Sequence, residues 1–248
     1  MGKKDFILDF SLVKTDKPLP CSREAVYLEA VITNFPVDLE PLNSFGQTAL
    51  VNKGDRSAPL YKINRIDLLA PRPEKKQPVS GQGEHIIDLL PTDHVESNHP
   101  DIRKKASEII SDTETPAEKV WQLVDWVSRN VKDEAIENFS ALDVLKERRG
   151  ECQSHTLLYI AMARAAGIPS RFVGGIVYLE GTGFLYHGWA ESDLDGWVPV
   201  DPTLNQVGVD ATHIKLVDGS DWTSLLPLGD FVGHIGIRIN DYRSLCNP

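Results

Sequence analysis

The chain has 248 residues, 41% hydrophobic and 25% charged, the texture of a folded globular protein with ample material for a core. Its formal net charge of -10 argues against a nucleic-acid partner, because holding phosphates needs clustered Lys and Arg. No apolar run approaches the roughly 20 residues of a membrane-spanning helix, and the N-terminus MGKKDFILDFSLVK lacks the long apolar stretch and cleavage site of a signal peptide.

Residues 1–72 read as a β-rich N-terminal region. Short segments such as FILDFSLV and AVYLEAVITNF are separated by Pro, Asn, Asp and Gly, which predicts strands and loops. Residues 73–97 read as a linker or loop; the stretch PRPEKKQPVSGQGE is rich in Pro, Gly and charge and has no period. The remainder, 98–248, reads as the main core. Its first helix is predicted at Pro100, in DIRKKASEII, and a second at the capping box Thr115-Pro116-Ala117-Glu118. Val120, Val124, Val127 and Val131 give that second helix an apolar face, which Trp121 and Leu123 widen. A short helix, ALDVLKERR, follows Ser140 and is expected to end at Gly150. The next, CQSHTLLYIAMARAAG, starts at or just before Cys152 and is stopped by Gly167 and Pro169. The period then changes to two, and RFVGGIVYL, FLYHGWAESDL and GWVPVDPT predict three strands joined by Gly-bearing turns.

Three cysteines, Cys21, Cys152 and Cys246, form no even-numbered framework and no C-x-x-C knuckle. Cys21 and Cys246 are expected to be small apolar core residues. Cys152 stands apart because it opens a strongly helical segment. A helix N-terminus favours a thiolate, and its backbone N–H groups can receive an oxyanion. His187 and Asp201 lie on consecutive predicted strands downstream, and a Cys–His pair with a third group orienting the base is the architecture of covalent acyl transfer.

Three phrases make the pattern specific. GECQSHTLLYIAMARAAGIPSRFVGG, then YHGWAE, then GWVPVDPT resemble the transglutaminase-like superfamily. In that family a Gly-x-Cys opens a helix ending in R-A-x-G-I-P-x-R, here Arg164 to Arg171; a His-x-Trp strand follows, here His187 to Trp189, and then a W-x-x-x-D-P-T strand, here Trp197 to Thr203. The resemblance covers roughly Asp101 to Leu216, and its tail, DATHIKL, is similar to the end of the bacterial members. It implies an α+β, papain-like core in which a helix bearing the cysteine packs on an antiparallel sheet bearing His and Asp. It further implies Cys152 as nucleophile, His187 as general base and Asp201 as the group orienting that base. Bacterial relatives are regarded as peptidases or amidases, so the expected function is thiol-dependent hydrolysis of an amide bond in a peptide or protein. The alternatives are acyl transfer to an amine and a non-catalytic binding module. No cofactor or metal is expected: Gln153, not an aromatic residue, follows Cys152, and no oxygen-rich calcium loop is apparent.

Neighbouring residues have two readings each. His155, three residues after Cys152 on one side of the helix, either tunes the thiolate or binds substrate, or is a satisfied structural histidine. Cys152, His155, His187 and Asp201 form a conceivable zinc set, set aside because the family phrases account for three of them. Tyr186 and Glu191 flank the His strand as candidate substrate contacts. Trp189 and Trp197 read as core or cleft walls, with Trp189 also a candidate substrate contact. Trp121 and Trp126 are candidates for a second oxyanion donor. The Asp195-Gly196 turn carries a geometric demand. A two-residue loop would pair Leu194 with Trp197 and set Asp201 opposite Ala190, on the other face from His187. A His–Asp pair therefore predicts an odd-numbered loop or a bulge.

Overall fold

In a computed structural model, residues 12–52, 55–66, 85–134 and 140–246 are described. Twelve strands occur among them: β1 (Leu12–Thr15), β2 (Ala25–Thr33), β3 (Gln47–Asn52), β4 (Asp55–Asn64), β5 (Lys132–Asp133), β6 (Arg149–Gly150), β7 (Ser170–Leu179), β8 (Gly183–Asp193), β9 (Trp197–Asp201), β10 (Gln206–Val207), β11 (Ile214–Gly219) and β12 (Gly236–Ser244). The α-helices are α1 (Pro100–Ile109), α2 (Pro116–Asn130), α3 (Ala141–Glu147) and α4 (Cys152–Ala165). The expected linker residues 73–84 lie outside the described residues, as does most of the FILDFSLV segment.

The helix signals act as the sequence predicts. Thr115 and Glu118 close a capping box over α2, and Pro116 occupies its first turn. Val120, Leu123, Val124 and Val127 are buried in a core shared with α1, α3 and α4. Trp121 departs from expectation: it is 55% exposed and does not widen the buried face. Helix α3 also ends differently. Arg148, not Gly150, turns the chain, adopting a left-handed φ of 54° as the C-cap. Gly150 instead sits where a β-carbon would lie 2.2 Å from Cβ of Ser154, so only glycine lets the chain pass this close to the first turn of α4.

The main sheet has ten strands among the described residues, in the order β10-β9-β8-β1-β12-β2-β4-β3, with β7 on the other edge of β8 and β11 beyond it. Its central strands pair antiparallel, as expected, but the whole sheet is mixed, because β1 pairs parallel with β12. The last strand, β12, thus lies between two strands from the first 33 residues, a placement that sequence order conceals. A second core packs β1, β2, β4 and β12 against Ile176, Tyr178, Phe184, Ile214 and Leu216 of the central strands. Buried Gln47 extends this join: its side chain both accepts from Lys215 N and donates to Lys215 O, each at 2.9 Å. Residues 85–97 are also held in place. Val95 is fully buried, and Asp88 accepts from Ser220 Oγ at 2.7 Å.

Cys21 and Cys246 are joined by a disulfide, contrary to the expectation of two separate core thiols. The bond links positions 225 residues apart and arises because β12 runs antiparallel to β2, bringing the chain beyond Ser244 beside the residues before Ala25. Reducing this bond in a Cys152→Ser background should lower the stability to denaturant by about 2–4 kcal/mol. Urea midpoints with and without reductant measure it, and coincident curves would show that the cross-link contributes nothing.

Candidate active site

Cys152 is the first residue of α4, half-buried, and is the one free cysteine. The helix that carries it is tied to the sheet at three depths. Thr156 Oγ1 lies 2.9 Å from Cys152 O and 3.1 Å from Gly188 O, so one hydroxyl links the first turn to the residue beside His187. One turn further, Tyr159 OH meets Ser192 Oγ at 2.6 Å. At the far end, buried Arg164 donates to the carbonyls of Ser170, Leu90 and Ser220.

His187 lies on β8 at a break in its pairing. Strand β7 covers one edge of β8 throughout, whereas on the other edge β9 pairs with Ala190–Asp193 and β1 with Phe184 and Leu185. Residues 186–189 lie between those two paired stretches. The hairpin from β8 to β9 has the odd loop that a His–Asp pair demands. Asp193 pairs with Trp197, leaving Leu194, Asp195 and Gly196 as three loop residues. Asp195 and Gly196 take positive φ of 61° and 134°, and Gly196 N donates to Asp193 Oδ1 at 2.7 Å. Continuing the register sets Asp201 opposite Trp189, on the same face as His187.

Accordingly His187 Nε2 donates to Asp201 Oδ2 at 2.7 Å. Asp201 ends its strand, and its other oxygen accepts from the N–H groups of Thr203 at 2.8 Å and Leu204 at 3.0 Å. Pro202, between Asp201 and these two residues, has no N–H to compete. Burial alone would lower the His187 pKa; the Asp201 carboxylate and the nearby Cys152 charge outweigh it and push it up to about 10. Burial would raise Asp201, but the two imidazoles facing it hold its carboxyl well below the usual carboxylate range.

The second of those imidazoles belongs to His213, which sequence reasoning missed. Its Nε2 donates to the same Asp201 oxygen at 3.1 Å. The only signal was its place in DATHIKL; nothing in a separation of 12 residues pairs it with Asp201. Trp189, fully buried, stacks on His187 at 6.1 Å and meets His213 edge-on at 5.3 Å, so it is a wall holding both rings.

Other candidates are placed elsewhere. His155 has both ring nitrogens against backbone carbonyls, of Glu151 at 3.0 Å and Val131 at 3.1 Å, so it pins the start of α4 and has no nitrogen left for a shared metal. Tyr186 points to the opposite face from His187, and its hydroxyl donates to the Phe231 carbonyl. Glu191 is buried between Arg171 at 2.8 Å and Lys215 at 2.7 Å, which makes it part of a structural ion cluster. Trp197 lies under the Arg171 guanidinium. Trp126 lies under Arg148, and Trp121 is exposed. His187, Asp201 and His213 bring ligand-type atoms within 4.8 Å of one another, and their hydrogen bonds account for that closeness.

Residues 103–202, which contain Cys152, His187 and Asp201, match the sequence model of the Transglutaminase-like superfamily. An uncharacterized protein of Mycobacterium leprae is 33% identical over 99 residues. That stretch is 36% of this chain and 34% of the relative, so the match spans about a third of the curated protein's length. Among solved structures, a proposed cysteine protease from Cytophaga hutchinsonii is 20% identical and shares the fold, with a TM-score of 0.53 over 90% of this chain and 89% of that one. The periplasmic domain of TgpA from Pseudomonas aeruginosa is 18% identical with a TM-score of 0.48, over 80% of this chain and 91% of that one. Among the described residues no helix is long and apolar enough to cross a membrane.

The raised His187 pKa has a consequence for stability. Its folded value, about 10, lies above the ordinary 6.5, so the charged ring stabilises fully below about pH 6.5 and this contribution is lost as pH rises toward 10. Asp201 acts with the opposite sign, its contribution disappearing in acid. Unfolding midpoints followed from about pH 6 to about pH 10 should fall more steeply for wild type than for His187→Asn. Parallel curves would refute the charged ring.

Proposed function

We propose that the protein is a thiol-dependent amide-bond hydrolase acting on a peptide or protein, with Cys152 as nucleophile, His187 as base and Asp201 as the group that orients His187. The observation that carries this reading is the 2.7 Å His187–Asp201 bond beside the free thiol at the start of α4. Cys152 sulfur attacks the amide carbonyl, and the N-terminal backbone of α4 offers N–H groups to the oxyanion. The C–N bond breaks as His187 gives a proton to the departing amine, leaving an acyl group on sulfur. His187 then takes a proton from water, whose oxygen attacks the thioester and releases acid and thiol. Asp201 keeps the ring in one orientation and balances its positive charge.

The same acyl-enzyme serves a second reaction, with an amine in place of water. The family match favours neither acceptor, so the experiment must contain both. Peptide libraries are incubated with the protein, with and without an added primary amine, and products are identified by mass. Cleavage or deamidation that ignores the amine supports hydrolysis; adducts that dominate at modest amine concentration would make the protein an acyltransferase instead. Absence of any Cys152-dependent product would leave only a binding module.

Cys152→Ala should abolish turnover with little change in unfolding midpoint. The position is only half-buried, and alanine is a good helix former. Turnover retained in the variant would end the covalent mechanism.

A further inference from the structure

The second histidine on Asp201 has no part in the chemistry above, yet it is more completely enclosed than His187. Its side chain has no solvent exposure, whereas that of His187 is 9% exposed. Burying an imidazole with no partner is costly, so its partners indicate what it does. On one side it donates to Asp201 Oδ2. On the other, Nδ1 lies 3.5 Å from Asp210 Oδ1, within electrostatic reach though not hydrogen-bonded. Asp210 is itself fixed, accepting from Thr212 N at 2.9 Å and Gln206 Nε2 at 2.9 Å and pairing with Arg23 at 2.9 Å. Arg23 also donates to Thr212 Oγ1 at 3.2 Å and to the Tyr178 carbonyl. The remaining charged groups near His213 line a cavity of about 20 Å³ with it: Glu191 and Lys215, already paired with each other at 2.7 Å.

A carboxylate oxygen accepts at two lone pairs, and all four positions on Asp201 are used. Two backbone N–H groups hold Oδ1. Oδ2 is held by two imidazoles, and of these His187 changes charge during acyl transfer. His213 is the donor on Oδ2 that need not change.

We infer that His213 is a positioning residue of this site, which holds Asp201 Oδ2 aimed at His187 and is itself held from behind by Asp210 and Arg23. The inference rests on the reading of Cys152, His187 and Asp201 as the reacting unit. Burial opposes charge on His213, but Asp210 and Asp201 outweigh it and push its pKa up, so it stays a donor. Its hydrogen bond in turn helps hold Asp201 ionised. Without that donor Asp201 is held less firmly as an anion and is freer to turn, so it supports the charge on His187 less well and the thiolate beside it is less favoured in mild acid.

Alkylation of Cys152 by iodoacetamide tests this without a known substrate, since the other two cysteines are bonded to each other. Rates are measured against pH for wild type, His187→Ala, His213→Leu and His213→Gln, with unfolding midpoints alongside. His213→Leu should react about tenfold more slowly than wild type near pH 6 and within about twofold of it near pH 9, its acid limb moved to higher pH. His213→Gln, which keeps a donor nitrogen at similar reach, should stay within about threefold of wild type throughout. Should the leucine variant fail to fold, His213→Asn, polar but too short to reach Asp201, replaces it with the same expected shift. A non-donor profile that superimposes on wild type overturns the inference, as does a uniform slowing that glutamine does not rescue. If His187→Ala itself superimposes on wild type, the underlying assignment of the reacting unit has failed instead.

Discussion

The carboxylate of Asp201 is the constraint on which the site is built. It is fully buried, and a charge taken out of water costs several kcal/mol unless donors replace the lost hydration. Here four N–H groups do so: two from the turn that begins at Pro202 and one from each of two imidazoles. Those donors come from three separate parts of the chain, so the charge can be kept only if β8, β9 and the segment leading into β11 all sit in the right register. The three-residue loop between β8 and β9 follows from the same demand, because a loop one residue shorter would turn Asp201 away from His187.

The cysteine side of the site is a problem of position. In the proposed reading Cys152 is a nucleophile at a helix start, useful only if the helix cannot slide along the sheet. The anchors at Thr156, Tyr159 and Arg164 hold it at its beginning, middle and end. Much of the family phrase around Cys152 therefore encodes placement. Gly150 lets the chain pass Ser154, and Arg164 gathers carbonyls from three segments behind the helix. His155, three residues after Cys152, belongs to this scaffold, with both ring nitrogens turned to backbone oxygens.

The first part of the chain also reaches the surroundings of the site. Arg23 stands two residues after a disulfide cysteine and pairs with Asp210, which faces His213, which donates to Asp201. Gln47 makes a second join through Lys215, whose amine pairs with Glu191 on the His187 strand. The residues before the family-matched segment thus contribute to the surroundings of Asp201 and His187, and do not merely precede them.

The sequence by itself determined what is local or periodic. A capping box and apolar spacing located α2, the stop signals Gly167 and Pro169 bounded α4, alternation located β7, β8 and β9, and three separated phrases picked out Cys152, His187 and Asp201. Parity alone even required the odd loop, since side-chain direction along a strand repeats every two residues. Only the tertiary structure decided which distant groups meet. Placing β12 between β1 and β2 joined Cys21 to Cys246, and threading the chain from β10 to β11 behind Trp189 brought His213 to Asp201. Such contacts depend on sheet order and chain path, which leave no period in the sequence. A buried histidine reads there as any other histidine, until the fold shows which carboxylate it faces.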